Sequence, residues 1–349
     1  MKVDEAVLAA VRDGDEAAFA AATEPYRRQL LVHCYRMTGS LDEAEDLVQE
    51  TMLRAWRGRA GFEGRSSLRT WLYRIATNVT LTALERRPRR VLMADAPPGD
   101  ADAPFDRDRR PDLGAAPDDL PWLQPVPDGL LEPVAPAEAE PDAVTVSRET
   151  IELVFLATIQ FLPPKQRAVL LLRDVLGWSA NQTADLLEVS TASANSALQR
   201  ARATMRRRMP DRRLEWRHAT ALSEEERSVL ERLIDAHDRV DVSAFAALLA
   251  EDVRQAMPPF AFWYEGKRAV TTLFTRYADA SSPDYPGHLR LMATVANRSP
   301  AMVAYLLAPG ADAYRLLGMS VLDVEDGLIV RIYSFGVQLL GAFDLPPTL

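Results

Sequence analysis

Residues 177–208 read GWSANQTADLLEVSTASANSALQRARATMRRR, and they decide the fold of the region around them. Ser179 with Gln182 three residues later forms a capping box, which predicts that a helix begins there. A three-residue turn follows, and Ser190 or Thr191 can cap the next helix. Two short helices with so tight a connection predict a helix-turn-helix.

The second of these helices has an apolar side and a polar, basic side. At 100° per residue, one stripe contains Ala194, Leu198, Ala201 and Met205. The other side suits a helix in the major groove of DNA, where Gln and Arg reach base edges and flanking arginines hold phosphates. The predicted DNA contacts are Ser193, Asn195, Ser196, Gln199, Arg200, Arg202, Arg206 and Arg207. The alternative is a solvated face whose cations favour a helix C-terminus, but the helix-turn-helix spacing favours DNA.

The overall charge of the chain at first argues against DNA. The 349 residues include 41 Lys/Arg and 50 Asp/Glu, a net charge of -9. Residues 91–142 hold 13 Asp/Glu, 3 Arg and 11 of the 24 prolines, a local net charge of -10 that leaves the remainder at +1. The acidity of the chain therefore does not argue against DNA binding by its folded parts.

The acidic segment itself predicts a linker over residues 91–145. Because it is rich in proline and poor in apolar residues, it cannot bury enough surface to fold alone, and we expect it to be disordered or extended. The stretch PWLQPVPDGLL (121–131) complicates this expectation. Either it is extended like the rest, or its apolar side chains dock on another part of the protein; these are Trp122, Leu123, Leu130 and Leu131.

Membrane, disulfide and metal-dependent classes are not expected. No apolar run approaches the roughly 18 residues of a membrane helix, and the acid-rich N-terminus lacks the order of a signal peptide, so we expect a cytoplasmic protein. Cys34 is the single cysteine, which excludes an internal disulfide, and we expect it to be buried. The histidines have no zinc-ligand spacing, so neither a metal nor a cofactor is expected; they are His33, His218, His237 and His288.

The stretch DEAEDLVQETMLRAWR (42–57) predicts an amphipathic helix near the N-terminus. Its apolar stripe consists of Ala44, Leu47, Val48, Thr51, Met52 and Ala55. Leu53 lies on the far side, among charged and polar residues. A single exposed leucine is ordinary in itself.

A further helix is predicted from SSLRTWLYRIATNVTLTALERR (66–87). Its predicted buried side consists of Leu68, Leu72, Ile75 and Val79, and its predicted outward side of Thr70, Tyr73, Arg74 and Thr77. An aromatic and polar surface that leads into the basic run RRPRR (86–90) suits single-stranded DNA, whose bases stack on aromatic rings at about 1–3 kcal/mol each. Trp71 and Asn78 lie on the flanks, and the angle of Trp71 fits a core position equally well.

Two stretches together resemble a known family. LPPKQRAVLLLRDVLGWSANQTADLLEVSTASANSALQRARATM (162–205) resembles the C-terminal DNA-reading domain of extracytoplasmic-function sigma factors of RNA polymerase, and residues 13–87 are similar to their N-terminal domain. The resemblance implies a sigma domain over 1–90 and a second one over 146–213, which reads the promoter element at -35 through the helix-turn-helix. Glu188 stands where the family often has glycine, so strain is expected if the backbone there is left-handed.

The resemblance also assigns roles. It implies core RNA polymerase as a partner, through the clamp helices of the largest subunit and the flap, with a clamp-docking face of Asp46, Gln49, Glu50 and Leu53. It implies promoter DNA as the other partner, with the -10 strand captured by Phe62, Ser66, Ser67, Thr70, Trp71, Tyr73, Arg74, Asn78 and Arg86. Within that set, the loop GFEGRSS (61–67) is expected to receive a flipped base. The linker is implied to thread the polymerase cleft.

Residues 220–349 exceed what a minimal sigma factor needs. Helical periodicity after a capping box at Ser223 and Glu226, followed by strand-like runs and an EDG hairpin turn, predicts an α+β domain. LLAEDVRQAMPPFAFWYEGKRAV (248–270) resembles SnoaL-like polyketide cyclases, whose cone-shaped fold encloses an apolar pocket. Candidate pocket residues for a small-molecule ligand are His237, Trp263 and Tyr264.

The fold of this third domain does not decide its function. A cyclase needs a general base beside its substrate, and the candidates by type are His237, Asp238, Asp252 and His288. Because no spacing singles out a pair of them, we expect regulation rather than catalysis.

The prediction is therefore a multidomain alternative sigma factor that is not an enzyme. It has two all-α sigma domains joined by an acidic linker, and a C-terminal α+β SnoaL-like domain that regulates them. Two alternatives stay open. One is a helix-turn-helix regulator that does not act as a sigma subunit, which would not bind core polymerase. The other is a cyclase-like enzyme tethered to DNA, which would turn over a small molecule.

Overall fold

The computed structural model describes residues 5–64, 66–86, 98–102, 123–131, 153–208, 222–258 and 263–349. The chain divides into two compact units. The first comprises Met1–Arg89, Leu130–Ile151 and Phe155–His218, and the second comprises Arg90–Gly129, Glu152–Val154 and Ala219–Leu349. Within the described ranges, no helix is long and apolar enough to cross a membrane.

The N-terminal part of the first unit is helical. Its helices are α1 (Glu5–Asp13), α2 (Glu16–Thr38), α3 (Leu41–Gly58) and α4 (Leu68–Glu85). The side chains of Asp15, Ser40 and Ser67 each accept a hydrogen bond from a first-turn backbone N–H and so start α2, α3 and α4. Gly39 ends α2 in a left-handed conformation, with φ of 80°, from which the chain turns into α3.

Two pieces of the predicted linker are ordered. Residues 98–102 and 123–127 are described, and the short helix α5 (Asp128–Leu131) follows the second piece. Leu123 and Val126 are buried. Leu123 is therefore docked, which is one of the two alternatives for this stretch. Trp122 lies outside the described residues.

The C-terminal part of the first unit contains the predicted helix-turn-helix. Its helices are α6 (Leu153–Ile159), α7 (Pro164–Leu170), which continues as a π-turn over Leu171–Val175, α8 (Ala180–Leu187) and α9 (Thr191–Arg208). The capping box of Ser179 and Gln182 is confirmed. Of the two candidate caps for α9, Ser190 accepts a hydrogen bond from the backbone N–H of Ser193 at 3.1 Å. The predicted apolar stripe of α9 is buried throughout.

A buried arginine joins the two parts of the first unit. Arg167 on α7 is 4% exposed. Its guanidinium donates to the carbonyl oxygens of Ile159 at 3.0 Å, Gln160 at 3.0 Å and Leu162 at 3.2 Å, and to the Gln160 side chain at 2.6 Å. It also donates to the carbonyl of Met37, in the last turn of α2. Because the last carbonyls of a helix lack partners within it, Arg167 caps α2 from a distant part of the sequence.

The second unit is the predicted α+β domain. Its helices are α10 (Glu224–Asp238), α11 (Val242–Ala247) and α12 (Lys267–Ala278), and its strands are β1 (Leu249–Ala256), β2 (Trp263–Glu265), β3 (His288–Ala296), β4 (Ser299–Leu307), β5 (Arg315–Glu325) and β6 (Leu328–Gly336). The strands form one sheet in the order β2-β1-β6-β5-β4-β3, antiparallel except for the parallel pair β1 and β6. The predicted capping box of α10 is confirmed.

One core lies between the helices and the sheet of this unit. Leu233 on α10, Phe274 on α12 and Ile329 on β6 are among its buried members. The rings of Phe245 and Phe274 stack with centroids 4.1 Å apart. The predicted hairpin turn is confirmed: Asp326 and Gly327, with φ of 49° and 74°, connect the paired residues at the ends of β5 and β6.

Candidate nucleic-acid interface

Helix α9 presents most of its predicted DNA contacts to solvent. The exposed members are Ser193, Asn195, Ser196, Gln199, Arg200, Arg206 and Arg207. Arg202 is only partly exposed and grips Asp174 with two hydrogen bonds, of 2.9 and 2.6 Å. Its hydrogen bond to Asp174 raises the pKa of Arg202. Arg202 therefore holds α9 against the preceding π-turn. The seven exposed members of the predicted set are the ones that are accessible to DNA bases.

The turn before α9 has the left-handed backbone that the sequence suggested. Glu188 has φ of 55° and ψ of 44°, a conformation that costs a non-glycine residue some strain. Its carboxylate accepts a hydrogen bond from Arg74 on α4 at 2.7 Å. Both side chains are substantially exposed, so this ion pair contributes little stability. Arg74, a predicted contact of the -10 strand, is thus held by a residue of the helix-turn-helix through a weak contact that a phosphate can replace.

The outward face of α4 is narrower than predicted. Arg74, Asn78 and Arg86 are exposed, as expected. The outward orientation predicted for Tyr73 and Thr77 is wrong, because Tyr73 is 1% exposed and Thr77 is fully buried.

The reason lies in the neighbours of α4. The Tyr73 ring packs between His33 at 5.1 Å and Trp178 at 5.7 Å, measured between ring centroids. The Thr77 hydroxyl is 3.0 Å from the imidazole of His33. Helix α4 therefore packs against both α2 and the helix-turn-helix part. Hydrophobic periodicity predicts only one buried side. Ile75, which was predicted to be buried, is half-buried.

The loop before α4 is enclosed at Phe62. Phe62 is 4% exposed, and its ring lies 4.9 Å from that of Trp71. Arg12 donates to the Phe62 carbonyl at 2.8 Å. Trp71 is half-buried. This exposure lies between the two alternatives that its helical angle left open, a core position and an outward-facing one. An exposed base would meet the rim of this aromatic pair, because Phe62 itself is covered.

The serines of the loop have different positions. Ser66 is exposed. Ser67 caps α4 by accepting from the Thr70 backbone N–H at 3.1 Å, and its hydroxyl lies 2.9 Å from that of Thr70. These two hydroxyls stay near the surface, where a phosphate or a base edge can replace one of their hydrogen bonds.

Helix α3 separates a buried stripe from an exposed face, as predicted. The whole predicted stripe is buried, whereas Asp46 and Gln49 are exposed and Leu53 is 44% exposed. Glu50 is half-buried and pairs with Arg54 at 2.6 Å. The face presents a leucine within a polar and acidic surrounding, which fits a protein partner better than DNA.

Two titratable groups of this part of the protein, His33 and Cys34, are buried. Burial lowers the pKa of His33 to about 3, and burial raises the pKa of Cys34 to about 12. His33 is therefore neutral and Cys34 is a thiol near neutral pH. The expected burial of Cys34 is confirmed.

The predicted pocket residues of the second unit have different surroundings. His237 is mostly buried, its ring lies 5.9 Å from that of Phe274, and its pKa is lowered by burial. Burial raises the pKa of Tyr264, and the Arg254 guanidinium lies 5.2 Å from the Trp263 ring centroid.

A groove of about 520 Å³ lies elsewhere, near the C-terminus, between Arg315 and Val337. None of the three predicted pocket residues lines it. Of the candidate bases, Asp238 and Asp252 are exposed, and His288 is 2.9 Å from the Tyr314 hydroxyl. Within the described ranges, no group of three or more His, Cys, Asp or Glu residues is placed to hold a metal ion.

Comparisons with known proteins match three stretches of the chain. Family models match Sigma-70 region 2 over residues 23–90, Sigma-70 region 4 over residues 153–205 and a SnoaL-like domain over residues 230–332. The chain is similar to the ECF RNA polymerase sigma factor SigG of Mycobacterium tuberculosis, with 42% identity over 97% of this chain and 86% of that protein. It is also similar to the ECF RNA polymerase sigma factor SigW of Bacillus subtilis, with 28% identity over 58% of this chain and 94% of that protein.

A solved structure shares the fold. The crystal structure of the Mycobacterium tuberculosis extracytoplasmic function sigma factor SigJ is 20% identical in sequence and matches with a TM-score of 0.58. The match covers 94% of this chain and all of that one.

Proposed function

The chain belongs to the family of extracytoplasmic-function sigma factors of RNA polymerase, and we propose that its helices α3, α4 and α9 have distinct tasks in transcription initiation. The exposed face of α3 docks on the clamp helices of core polymerase. The outer face of α4 and the loop before it capture the -10 strand, and α9 reads the -35 element. The protein acts in the cytoplasm, where polymerase and chromosome are found.

The observation that carries this proposal is the identity of 42% to a sigma factor over 97% of the chain. It includes both sigma regions and the extra domain in the same order. A regulator that used only the helix-turn-helix would have no use for region 2, so this alternative is not favoured. We propose domain limits of 1–90, 146–213 and 220–349, with the linker between the first two.

The C-terminal domain is proposed to regulate the sigma modules. SnoaL-like domains include enzymes, so the family match alone does not decide between catalysis and regulation. The relative that shares this domain together with both sigma regions is named a sigma factor, which favours a task in transcription over independent catalysis.

Transcription in vitro tests the proposal directly. Core RNA polymerase is mixed with the purified full-length protein and with genomic DNA fragments, and the 5′ ends of the transcripts are sequenced. We expect new start sites that share two upstream elements and that are absent with core enzyme alone. Failure to bind core polymerase in a pull-down, together with retained DNA binding, would instead identify a dedicated helix-turn-helix regulator.

The assignment of base reading to α9 predicts a contrast between two arginines. Arg200 and Arg206 are both exposed on this helix. If Arg200 reads a base, Arg200→Ala costs on the order of 1–3 kcal/mol at the -35 element and relaxes the preference there. Arg206→Ala, the matched control, weakens binding to all sequences alike. Competition titrations with point-substituted sites measure both effects, and unchanged relative affinities with Arg200→Ala would refute base reading by Arg200.

The regulatory assignment predicts that removing the third domain alters transcription but not docking. Deleting residues 220–349 should change promoter-dependent transcription by about fivefold or more, a typical size for coupling between sites. Core polymerase should bind the truncated protein as before, because α3 lies in the other unit. Run-off transcription and a pull-down supply the two measurements. Equal transcription by the two proteins would show that the domain is not regulatory.

A further inference from the structure

Helix α1 lies outside the stretch of the chain that matches Sigma-70 region 2. It comprises Glu5–Asp13, whereas the match begins at residue 23. Val11, on its inner side, is 3% exposed. Its last turn carries one basic residue, Arg12, which is half-buried. None of the proposed tasks of α3, α4 and α9 involves this helix, although Arg12 contacts the loop before α4.

The Arg12 side chain runs along the backbone of that loop. Its Nε–H donates a hydrogen bond to the carbonyl oxygen of Phe62 at 2.8 Å. Its Nη2 lies next to Gly64, because a Cβ built on this glycine would be 3.6 Å from it. The guanidinium is therefore placed beside residues 62–64, in the loop whose Phe62 ring packs on Trp71.

Glycine at position 64 leaves one side of this guanidinium uncovered. Gly64 has φ of 74°, a backbone conformation that residues with a side chain rarely adopt. A side chain at this position would also begin in contact with Nη2 of Arg12 and would lie over it. The loop thus holds the guanidinium through a backbone carbonyl and does not cover Nη2 from position 64.

The loop itself is held in place from the side of α3. The guanidinium of Arg59 lies 3.9 Å from the Trp56 ring centroid and donates to the Trp56 carbonyl at 2.8 Å. The Phe62 N–H donates to the Arg59 carbonyl at 3.1 Å. Because the backbone of Phe62 is fixed in this way, the carbonyl that accepts from Arg12 has a defined position. The Arg12 guanidinium is therefore oriented before any ligand binds, which lowers the cost of binding one.

Most of the donors of Arg12 are unused within the described ranges. A guanidinium has five N–H donors, and the bond to Phe62 is the one hydrogen bond that Arg12 makes to the described residues. The donors on Nη1 and Nη2 have no acceptor there. A planar pair of such donors matches two oxygens of a phosphate group. The geometry at Arg12 is thus that of a pre-oriented phosphate site.

We propose that Arg12 binds a backbone phosphate of the -10 strand, and that α1 is thereby part of the DNA-binding surface. This inference rests on the proposed capture of that strand by α4 and the loop before it. A base that stacks at the rim of Phe62 and Trp71 brings its own phosphates to the loop, where the guanidinium already lies against the Phe62 carbonyl. Such a contact adds affinity and orientation but reads no base.

Arg12→Gln tests the contact in the complete complex. The full-length protein is assembled with core polymerase and titrated with a fluorescent promoter fragment whose -10 element is unpaired. We expect binding about tenfold weaker, because a charge-assisted hydrogen bond is lost, and equally so for all -10 sequences. The slope of log affinity against log salt concentration should fall by about 0.7, the value for one phosphate on a single strand.

Arg27→Gln is the matched control. Arg27 is exposed on α2 and pairs with Glu24, so its loss removes the same charge without touching the loop. It should keep the affinity and the salt dependence of the unmodified protein. Equal weakening by both variants would mean that a general loss of positive charge is measured, and this would overturn the contact at Arg12.

Neutral methylphosphonates, introduced one at a time into the -10 strand, locate the phosphate. At one position the substitution should weaken the unmodified protein about tenfold and leave Arg12→Gln unaffected, because that contact is already missing. At the other positions the two losses should add, as for independent sites. Arg12→Lys keeps the charge but not the planar pair of donors, so it should recover only part of the affinity.

Two results would overturn the assignment of Arg12 alone. One is binding of Arg12→Gln at the level of the unmodified protein. The other is weaker binding in which every neutralised phosphate affects both proteins equally, because Arg12 would then act only through the structure of the loop. If the unmodified protein did not bind core polymerase at all, the proposed function would be wrong, and the role of Arg12 in -10 capture would be wrong with it.

Discussion

Leu53→Asp should reduce the affinity for core RNA polymerase by about thirty- to a hundredfold, which corresponds to about 2–3 kcal/mol, the usual loss at a central contact residue. Leu53 is 44% exposed on α3, while the apolar stripe of that helix is buried. In the proposed complex the aspartate would carry an unpaired charge into an apolar contact, which is costly. In the free protein it would be solvated. Titration with labelled core polymerase measures the affinity.

The melting temperature decides whether Leu53 acts in docking or in folding. Replacing leucine by aspartate within a helix costs only about 0.5 kcal/mol in propensity, so we expect a small shift. Leu328→Asp is a suitable control, because Leu328 is similarly exposed at 38% but belongs to the other unit. It should bind core polymerase normally. If Leu53→Asp lowers stability in proportion to binding, Leu53 has a structural role.

Local patterns in the sequence were sufficient for the helix-turn-helix. The capping box of Ser179 and Gln182 and the stripe of α9 both depend on residues within a few positions of each other. Glu188 stands where the resembling family often has glycine, and its backbone is left-handed. These features depend on residues that are close together in the sequence, so they can be predicted from it.

The burial pattern of helix α4 could not be predicted from local sequence patterns. Tyr73 and Thr77 were predicted to face outward, and both are buried. His33 and Trp178, the residues that cover Tyr73, lie on opposite sides of it in the sequence and far from it. Hydrophobic periodicity identifies one buried side of a helix, but a second contact side lined by tyrosine and threonine has no apolar signal of its own.

The contact between Val126 and the turn residue Asn297 was even less accessible to sequence reasoning. The apolar side chains around Leu123 left two alternatives open, an extended segment or a docked one, and nothing indicated the partner. Asn297 binds Val126 largely through backbone groups, and every residue of a chain has such groups. The only signal was a polar pair between two strand-like runs, which predicts a hairpin turn and no more.

Arg167 was also missed, although it lies in the quoted stretch LPPKQR. An arginine at a helix start reads as a surface residue, because arginine is seldom fully buried without partners. Here the acceptors are backbone carbonyls and one amide side chain. Their number matches the five N–H donors of a guanidinium. The sequence does not indicate which backbone carbonyls will accept hydrogen bonds from a buried arginine.

Arg167→Met should therefore destabilise the first unit more than any surface substitution, by about 3–5 kcal/mol, because it removes five hydrogen bonds to neutral acceptors. Methionine keeps the length of the side chain but leaves the carbonyls of Met37, Gln160 and Leu162 without this donor, at a cost of about 1–3 kcal/mol for each group that stays unsatisfied. Denaturant unfolding of the full-length protein, followed by near-ultraviolet circular dichroism, measures the loss.

Two further variants separate the hydrogen bonds of Arg167 from its charge. Lys165→Met changes an exposed residue of the same helix and should shift the free energy of unfolding by less than about 0.5 kcal/mol. Arg167→Lys keeps the charge but offers three donors from one point, so it should recover only part of the stability. If lysine restored it fully, charge alone would account for the effect. If methionine cost less than about 1 kcal/mol, the carbonyls would have to find water or other donors, and Arg167 would not be the connection between α2 and the helix-turn-helix part.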